Sequence, residues 1–515
     1  NDRVRGRDGA IQGIGPFDAD EWKRTIYDNT RPHLNVELSV LPVAEGTGRL
    51  LVMRVPKGVD PPYGTSAGLY KVRVEKSCMP LDPREFARVQ IQSGAVDWSA
   101  LPATNIDFSQ LDPVEIARGR NFLRRYASDS PLLGSHVSDR KFTEGLGVVS
   151  GGKVTNAGLL LFGRQDVIRE ALPQHQVHYV HITSPVQVAR NISWTDGLLA
   201  IIERLEDIFQ GPVNPEHELS FGFTKLRVPA FPVDVVREAV LNAVTHRDYL
   251  SPNEVLIRHA AGHLTVTSPG GFVGGITPRN ILRQEPFARN RRLAEAFEKL
   301  RLVERAGMGR DRIFTSMLRL GKKIPEYESN GERVILRLFD GSVDERMVKL
   351  IAKWSAEGRD LWLDSLLILT YMRVHQYIKS PEAADLLQLS QRDARDVLES
   401  HAMPPLSILE RVSRSNPARY HLTRGVARDL VGQAIYTRAK SADSTREKEL
   451  IRNYLCDYDS INNSELRELL GLGHSNSAKV EASRILGKHC LEGGLLEKRG
   501  SGNQIRYILR RQGPD

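Results

Sequence analysis

Cysteine is scarce in this chain. Of its 515 residues only three are cysteine, Cys78, Cys456 and Cys490, scattered and odd in number. They make neither a disulfide framework nor a zinc-ligand spacing, which fits a chain kept in a reducing cytoplasm. Long apolar runs are missing too. The nearest, Trp362-Leu-Asp-Ser-Leu-Leu-Ile-Leu-Thr-Tyr-Met372, is cut by Asp364 and falls short of the roughly 18 residues a spanning helix needs, so no membrane partner is expected. The opening residues carry neither an initiator methionine nor a signal-like leader, and Gly9-Ala-Ile-Gln-Gly-Ile-Gly15 reads as the middle of a domain. A working P-loop is also absent. Gly147-Val-Val-Ser-Gly-Gly-Lys153 comes close, but the residue that should offer Mg²⁺ a hydroxyl is Val154, and Thr155 stands one place late. Gly151-Gly152 suits a hairpin turn instead, which removes the chief support for a helicase.

What is present is ordinary in bulk. Hydrophobic residues at 40% and charged residues at 26% belong to a globular protein, and the length suggests roughly three to four domains. The net charge of +9 favours a polyanionic partner.

One stretch organises the rest: Pro232-Val-Asp-Val-Val-Arg-Glu-Ala-Val-Leu-Asn-Ala-Val-Thr-His-Arg-Asp-Tyr249. Pro232 suits the first position of a helix, and Asp234 lies in the first turn, where the dipole favours negative charge. Val236, Val240 and Ala243 share one side, while Glu238, Asn242 and His246 form an i, i+4, i+8 row beside it. Such a row is either a solvated face or the rim of a site. A hairpin pattern follows, Glu254–His259 and His263–Ser268 about a turn at Gly262, and then two glycine pairs, Gly270-Gly271 and Gly274-Gly275. A charged helix from Arg291 to Leu300 leads to Glu304-Arg-Ala-Gly-Met-Gly-Arg310, just ahead of another helix, where glycine lets backbone N–H groups approach an anion.

The order Glu238…Asn242…His246-Arg-Asp-Tyr249, Ser268-Pro-Gly-Gly271, Arg289-Asn-Arg-Arg-Leu-Ala294 and Glu304…Gly307-Met-Gly309 resembles the GHKL (Bergerat-fold) ATP-binding domain. More closely, it resembles the version in bacterial proteins that join a Schlafen-type Alba-like domain to this ATPase and a C-terminal helix-turn-helix. These are often labelled predicted transcriptional regulators or helicase-related proteins. The resemblance implies ATP and Mg²⁺ as cofactors. It makes Glu238 the base that orients the attacking water and Asn242 the Mg²⁺ ligand, with His246 further along that rim. Gly270 and Gly271 would border the adenine, and Gly307 and Gly309 would wrap the phosphates. The family usually has an aspartate that accepts from the adenine amino group where this chain has Ser268, and close relatives have proline where it has Arg291. Asp248 and Tyr249 also read simply as closing the helix and packing its end.

Upstream, strand patterns over Asn35–Pro42, Arg49–Pro56 and Gly68–Glu75 and a short helix from Asp82 resemble the second half of the Schlafen-type domain. That family's opening strand and Asn-Thr-x-Gly-Gly turn are not in the sequence, so part of the native N-terminus is expected to be omitted, and the nuclease carboxylates with it. Lys71, Arg73 and Lys76 beside Tyr70 read either as phosphate contacts with a stacking ring or as plain solvent-facing alternation.

Downstream a pattern repeats. Helices are expected over Asp364–Gln376, Ser380–Leu389 and Ser390–Ser400, followed by a two-stranded wing from Leu409 to Leu422. The same series returns with Glu447–Cys456, Asn463–Leu472, Ser477–Cys490 and a wing from Leu496 to Leu509. Both wings read Leu-Glu-basic, a turn, then Arg-Tyr-x-Leu, which predicts two winged helices. Base-edge candidates are Gln391, Arg392 and Arg395 in the first and Asn476, Ser477 and Lys479 in the second; phosphate candidates are Arg411, Arg414, Lys498, Arg499 and Arg506. Winged helices also dock proteins, and Asp393 and Asp396 would repel phosphate.

The expected architecture is thus an α/β multidomain chain. A partial Alba-like α/β domain (1–95) precedes a connecting α/β domain (96–215) and a GHKL (Bergerat) α/β sandwich (216–342), and two C-terminal winged helices (343–430 and 431–515) follow. The expected function is a DNA-binding, ATP-responsive transcriptional regulator, with DNA and ATP as partners and a homodimer as a further candidate. The alternative is an ATP-dependent nucleic-acid-processing enzyme, a Schlafen-like nuclease or defence effector whose catalytic carboxylates lie in the omitted segment. A third reading is a scaffold whose pocket and winged helices only pack.

Overall fold

The structure is a computed structural model that describes residues 10–55, 61–74, 77–184, 187–221, 224–303, 309–341, 343–411, 417–431, 447–470, 472, 476–491, 495–500 and 505–510. Two compact units alternate along the chain. The first comprises residues 1–213, 233–309 and 326–337, the second residues 214–232, 310–325 and 338–515.

The first unit is built on a six-stranded mixed sheet in the order Gln187–Trp194, Val177–Ser184, Val255–Ala260, His263–Pro269, Arg333–Phe339, Glu326–Ser329. The expected hairpin forms with Ile257 opposite Val266 and His259 opposite Leu264, and its alternating Val255, Ile257, Leu264 and Val266 are buried. Its outer strand does not stay at an edge. Val177–Ser184 pairs with it in parallel, Val177 opposite Val255 and Tyr179 opposite Ile257. A parallel neighbour requires a long crossover, and the chain between the two strands supplies it, including the helices Leu198–Gln210 and Val233–His246. One sheet therefore runs through the boundary expected at 215/216, because an apolar strand edge in the 216–342 segment is covered by strands from the preceding one.

The Leu198–Gln210 helix buries Leu198, Leu199, Ile201, Ile202, Leu205 and Phe209 and packs along the Val233–His246 helix. Buried Glu206 holds the two together, accepting from Arg237 at 2.8 Å and from Arg125 at 3.1 Å. The near P-loop is a tight turn. Gly151 and Gly152 take φ of +56° and +77° between Val149–Ser150 and Lys153–Val154, a left-handed pair that glycine adopts without strain. Thr155 then caps the wholly buried helix Asn156–Phe162, its hydroxyl accepting from Gly158 N at 3.2 Å. Ahead of these lie the hairpin Glu37–Pro42/Arg49–Arg54 and the helix Pro83–Ser93, which ends at Gly94.

In the second unit the hairpin Glu216–Phe221/Thr224–Pro229 packs Leu219 and Val228 on Val348 of the helix Glu345–Ala356. Two copies of one arrangement follow. Leu363–Met372, Ser380–Leu387 and Gln391–Ala402 are helices, and Leu409–Arg411 pairs with Tyr420–Leu422. Then come the helices Glu447–Asp457, Asn463–Leu470 and Asn476–Leu491, with Leu496–Arg499 paired to Arg506–Leu509. In each copy an isoleucine between the first two helices bridges to the hairpin tyrosine, Ile378 to Tyr420 and Ile461 to Tyr507. Among the described residues no helix is long and apolar enough to cross a membrane.

Candidate functional site

The central helix, Val233–His246, buries Val235, Val236, Ala239, Val240, Ala243 and Val244. Glu238, from the polar row, is buried as well, at 4% exposure. Its carboxylate accepts from the Asn242 amide nitrogen at 3.2 Å. Asn242 and His246 are half-buried, so the row is not a fully solvated face.

Gly309, the first residue of the helix Gly309–Arg319, lies against this pair. A Cβ built there would overlap the Glu238 carboxylate oxygen and stand 2.8 Å from its Cδ, so only glycine leaves room for Glu238 as placed. A carboxylate, an amide and a side-chain-free helix start thus meet at one point. The other glycine of that motif, Gly307, lies outside the described residues. With its nitrogen committed to Glu238, Asn242 has its carbonyl oxygen left to offer, the donor a hard cation such as Mg²⁺ prefers. The space beside Gly309 is filled by the Glu238 carboxylate, so a phosphate would reach the backbone N–H groups of this helix start only with that carboxylate displaced. Asn242 thus offers one oxygen that a Mg²⁺-nucleotide could use, with Glu238 and Gly309 beside it. Among the described residues no group of His, Cys, Asp and Glu side chains could hold a metal unaided.

The residues expected at the adenine end also gather, but around the C-terminus of the central helix. Ser268 is buried and its hydroxyl donates to Ala243 O at 2.7 Å. The Tyr249 hydroxyl donates to Val244 O at 3.1 Å, and its ring stacks on Trp98. Asn290 Nδ2 reaches Thr245 O at 2.9 Å and Arg247 O at 2.8 Å, and Arg289 Nε reaches His246 O at 3.0 Å. Side chains thus satisfy the carbonyls from Ala243 to Arg247, which a helix end leaves without intrahelical donors.

The space beside the glycine pair is taken. A Cβ on Gly270 would lie 2.9 Å from Asp248 Cβ and 3.0 Å from Arg289 Nη2, and one on Gly271 would lie 2.5 Å from Gly331 O. Arg289 also donates to Gly271 O at 2.7 Å and to the carbonyl of Gln92, whose side chain donates to Asp248 at 3.0 Å. Burial lowers the Arg289 pKa, and Asp248 opposes that shift. Sequence reasoning had quoted Arg289 and Asn290 without giving them a role and had missed Gln92. The need to pair every buried helix carbonyl could have flagged the first two; nothing local signals the third.

In the first helix-and-hairpin copy, Gln391, Arg392 and Arg395 are exposed on the third helix, beside exposed Asp393 and Asp396. Arg411 pairs with Glu399 at 3.1 Å, and Arg414 lies outside the described residues. In the second copy, Asn476, Lys479, Lys498 and Arg499 are exposed, whereas the Ser477 side chain is outside what is described. Arg506 is engaged within the chain, to Ser460 at 2.6 Å and to Glu465 at 3.0 Å. Near the N-terminus Tyr70 packs edge-on against Phe86, which occupies a ring that had been a stacking candidate, and Lys76 falls outside the described residues.

Comparison with known proteins agrees with the sheet side of this picture. Residues 253–338 match the family described as "Putative ATP-dependent DNA helicase recG C-terminal", an ATPase-type domain, and residues 86–178 match a domain family of unknown function. The first match begins after the central helix, so Glu238 and Asn242 lie ahead of it. The chain is similar in fold to the crystal structure of the DIP2311 protein from Corynebacterium diphtheriae, with 24% identity and a TM-score of 0.55 over 80% of this chain and 81% of that one. No curated protein matches. The chain is thus an α/β multidomain protein with an ATPase-type segment.

Proposed function

We propose that this chain is an ATP-responsive DNA-binding regulator, with a GHKL-type nucleotide site on its central helix and two winged helices at its C-terminal end. The observation that carries the proposal is the meeting of Glu238, Asn242 and Gly309, which are separated in sequence yet come together ahead of and within the segment matching the ATPase-type family. Asn242 would hold Mg²⁺, and the backbone around Gly307 and Gly309 would take the phosphates. The bound Mg²⁺-nucleotide would supply a polarised terminal phosphate. Glu238, buried and hydrogen-bonded by Asn242, would orient a water and take its proton. Gly270, Gly271 and Ser268, expected to border the base, pack instead against Asp248, Arg289, Gly331 and Ala243 O, so a base would reach them only if those contacts opened, with His246 on the rim between.

The twofold helix–bridge–helix–helix–hairpin order supports tandem winged helices, and exposed Gln391, Arg392, Arg395, Asn476 and Lys479 on the third helices, with Ser477 between the last two, support groove contact. Lys498 and Arg499 would be the wing's phosphate contacts, Arg499 by leaving Glu497, 3.4 Å away and exposed, and Arg506 by leaving Glu465. A nucleic-acid-processing enzyme is the second reading, in keeping with the family description of the matching segment.

Calorimetric titration with ATP and a non-hydrolysable analogue, with and without Mg²⁺, tests the site. Binding that depends on Mg²⁺ and vanishes in Asn242→Ala is expected; identical titrations for the two proteins sink it. Lys498→Ala with Arg499→Ala should lower the slope of log affinity for duplex DNA against log salt by about two, and an unchanged slope removes that wing from the phosphates.

A further inference from the structure

Where the two helix-and-hairpin copies adjoin, the second unit holds a cavity of about 410 Å³ that none of the roles above explains. Three arginines, Arg424, Arg428 and Arg506, line it together with Tyr458, Ser460 and a lone carboxylate, Asp459. Arg424 has no carboxylate partner among the described residues; its guanidinium lies over the Tyr458 ring, 4.9 Å from the centroid. Arg428 spends one N–H on Asp429 at 3.1 Å, and Asp429 is shared with Lys353 at 2.8 Å. Arg506 is braced by Ser460 and Glu465. A guanidinium has five N–H donors, so all three retain unused ones. The Tyr458 hydroxyl is buried and meets the same Arg424 guanidinium.

Three guanidiniums lining one cleft favour an anion there, although two of them already have carboxylate partners. Asp429, shared with Lys353, pairs with Arg428 and Glu465 pairs with Arg506, so these two offset part of the charge; Arg424 has no such partner among the described residues, and Asp459 is exposed. Planar N–H forks match phosphate oxygens in pairs. The volume exceeds that of a bare phosphate and leaves room for the organic group attached to it.

We propose that this cavity binds a phosphate ester, its oxygens held by Arg424 and Arg428 with Arg506 completing the set. The ester is supplied either by a free phosphorylated metabolite or by a nucleic-acid backbone lying across both copies. The inference stands without the ATP site and meets the DNA reading only in its second source.

The full chain is titrated calorimetrically with ribose 5-phosphate and with inorganic phosphate, and a labelled DNA duplex is followed by anisotropy in parallel. Arg424→Gln with Arg428→Gln, both exposed and so tolerated by the fold, should weaken binding about tenfold or more. Asp459→Asn, which removes the opposing charge, should tighten it by roughly twofold to fivefold. If the double variant loses ribose 5-phosphate but keeps the duplex, the source is a free ester. If it loses the duplex, the source is the backbone. Equal affinities in native and double-variant protein for every probe, or no saturable phosphate binding together with unchanged duplex affinity, overturn the proposal. Loss of ATP binding in Asn242→Ala should leave these titrations unaltered, so the two sites fail separately.

Discussion

The closest contact in the proposed nucleotide site can be turned against it with a single methyl group. In Gly309→Ala the new Cβ arrives on the Glu238 carboxylate, 2.8 Å from Cδ, whereas ordinary carbon contacts begin near about 3.5 Å. The obstacle is the far end of a flexible side chain rather than backbone, so the carboxylate swings away by about 1 Å instead of the helix moving. That swing stretches the 3.2 Å bond from Asn242 and releases the amide that would face Mg²⁺. Stability should change little. Alanine gains up to about 1 kcal/mol over glycine in a helix, which offsets part of the cost of moving a buried carboxylate. Function should change much more, because a misplacement of about 1 Å at reacting groups costs on the order of a hundredfold. The assay pairs a thermal melt with calorimetric Mg²⁺-ATP titration and, where turnover is measurable, phosphate release. A variant that melts like the native chain and binds and turns over Mg²⁺-ATP equally well would refute the idea that Glu238 and Gly309 share a nucleotide site.

Two further outcomes concern stability. Ser268→Ala removes the donor to Ala243 O inside the fold and leaves a buried carbonyl unpaired, so urea denaturation should show a loss of about 1–3 kcal/mol; a loss below the error of the fit would mean that water replaces the hydroxyl. His175 is buried, and desolvation pulls its pKa from 6.5 down to about 4, partly opposed by the hydrogen bond to Asp196 O and reinforced by Arg247. Its folded pKa lies below the unfolded one, so the neutral ring contributes stability that is complete above pH 6.5 and is lost as pH falls toward about 4. Over that window the loss is on the order of 3 kcal/mol, and His175→Gln should flatten that part of the stability profile. An unchanged profile in the variant would assign the acid sensitivity elsewhere.

The parts of this molecule legible in its sequence are those whose signal is local. Pro232 and the 3.6-residue apolar spacing marked the central helix, and alternation about Gly262 marked the hairpin with Ile257 facing Val266. The matched Arg-Tyr-x-Leu ends marked the C-terminal repeat, and Tyr420 and Tyr507 prove to be the residues that bridge back to Ile378 and Ile461. What local pattern cannot carry is partnership across long separations. A strand pattern at Val177–Ser184 says nothing of its parallel neighbour, since the choice is made by the crossover and by an edge needing cover. Arg506 reads as a free wing cation because Glu465, which holds it, lies on another helix. Ser268 looks like a ligand residue, and Asn290 like a residue of no stated role, when the only visible fact is that polar groups recur in a fixed order; their helix carbonyls appear only once the chain is folded.

That double use bears on which base the proposed site would prefer. The Ser268 proton is spent on Ala243 O, so toward a ligand the hydroxyl can only accept a hydrogen bond. An aspartate in this place is likewise acceptor-only, and both match the adenine amino group, a donor, while opposing the guanine carbonyl, an acceptor. Exchange of aspartate for serine therefore keeps the polarity of the contact and removes its charge, and charge-assisted hydrogen bonds are roughly twice as strong as neutral ones. Selectivity for adenine over guanine should keep its sign and lose magnitude. The hydroxyl cannot rotate to donate to guanine without abandoning a buried helix carbonyl, so the cap that closes the central helix also fixes the sense in which a base could be read.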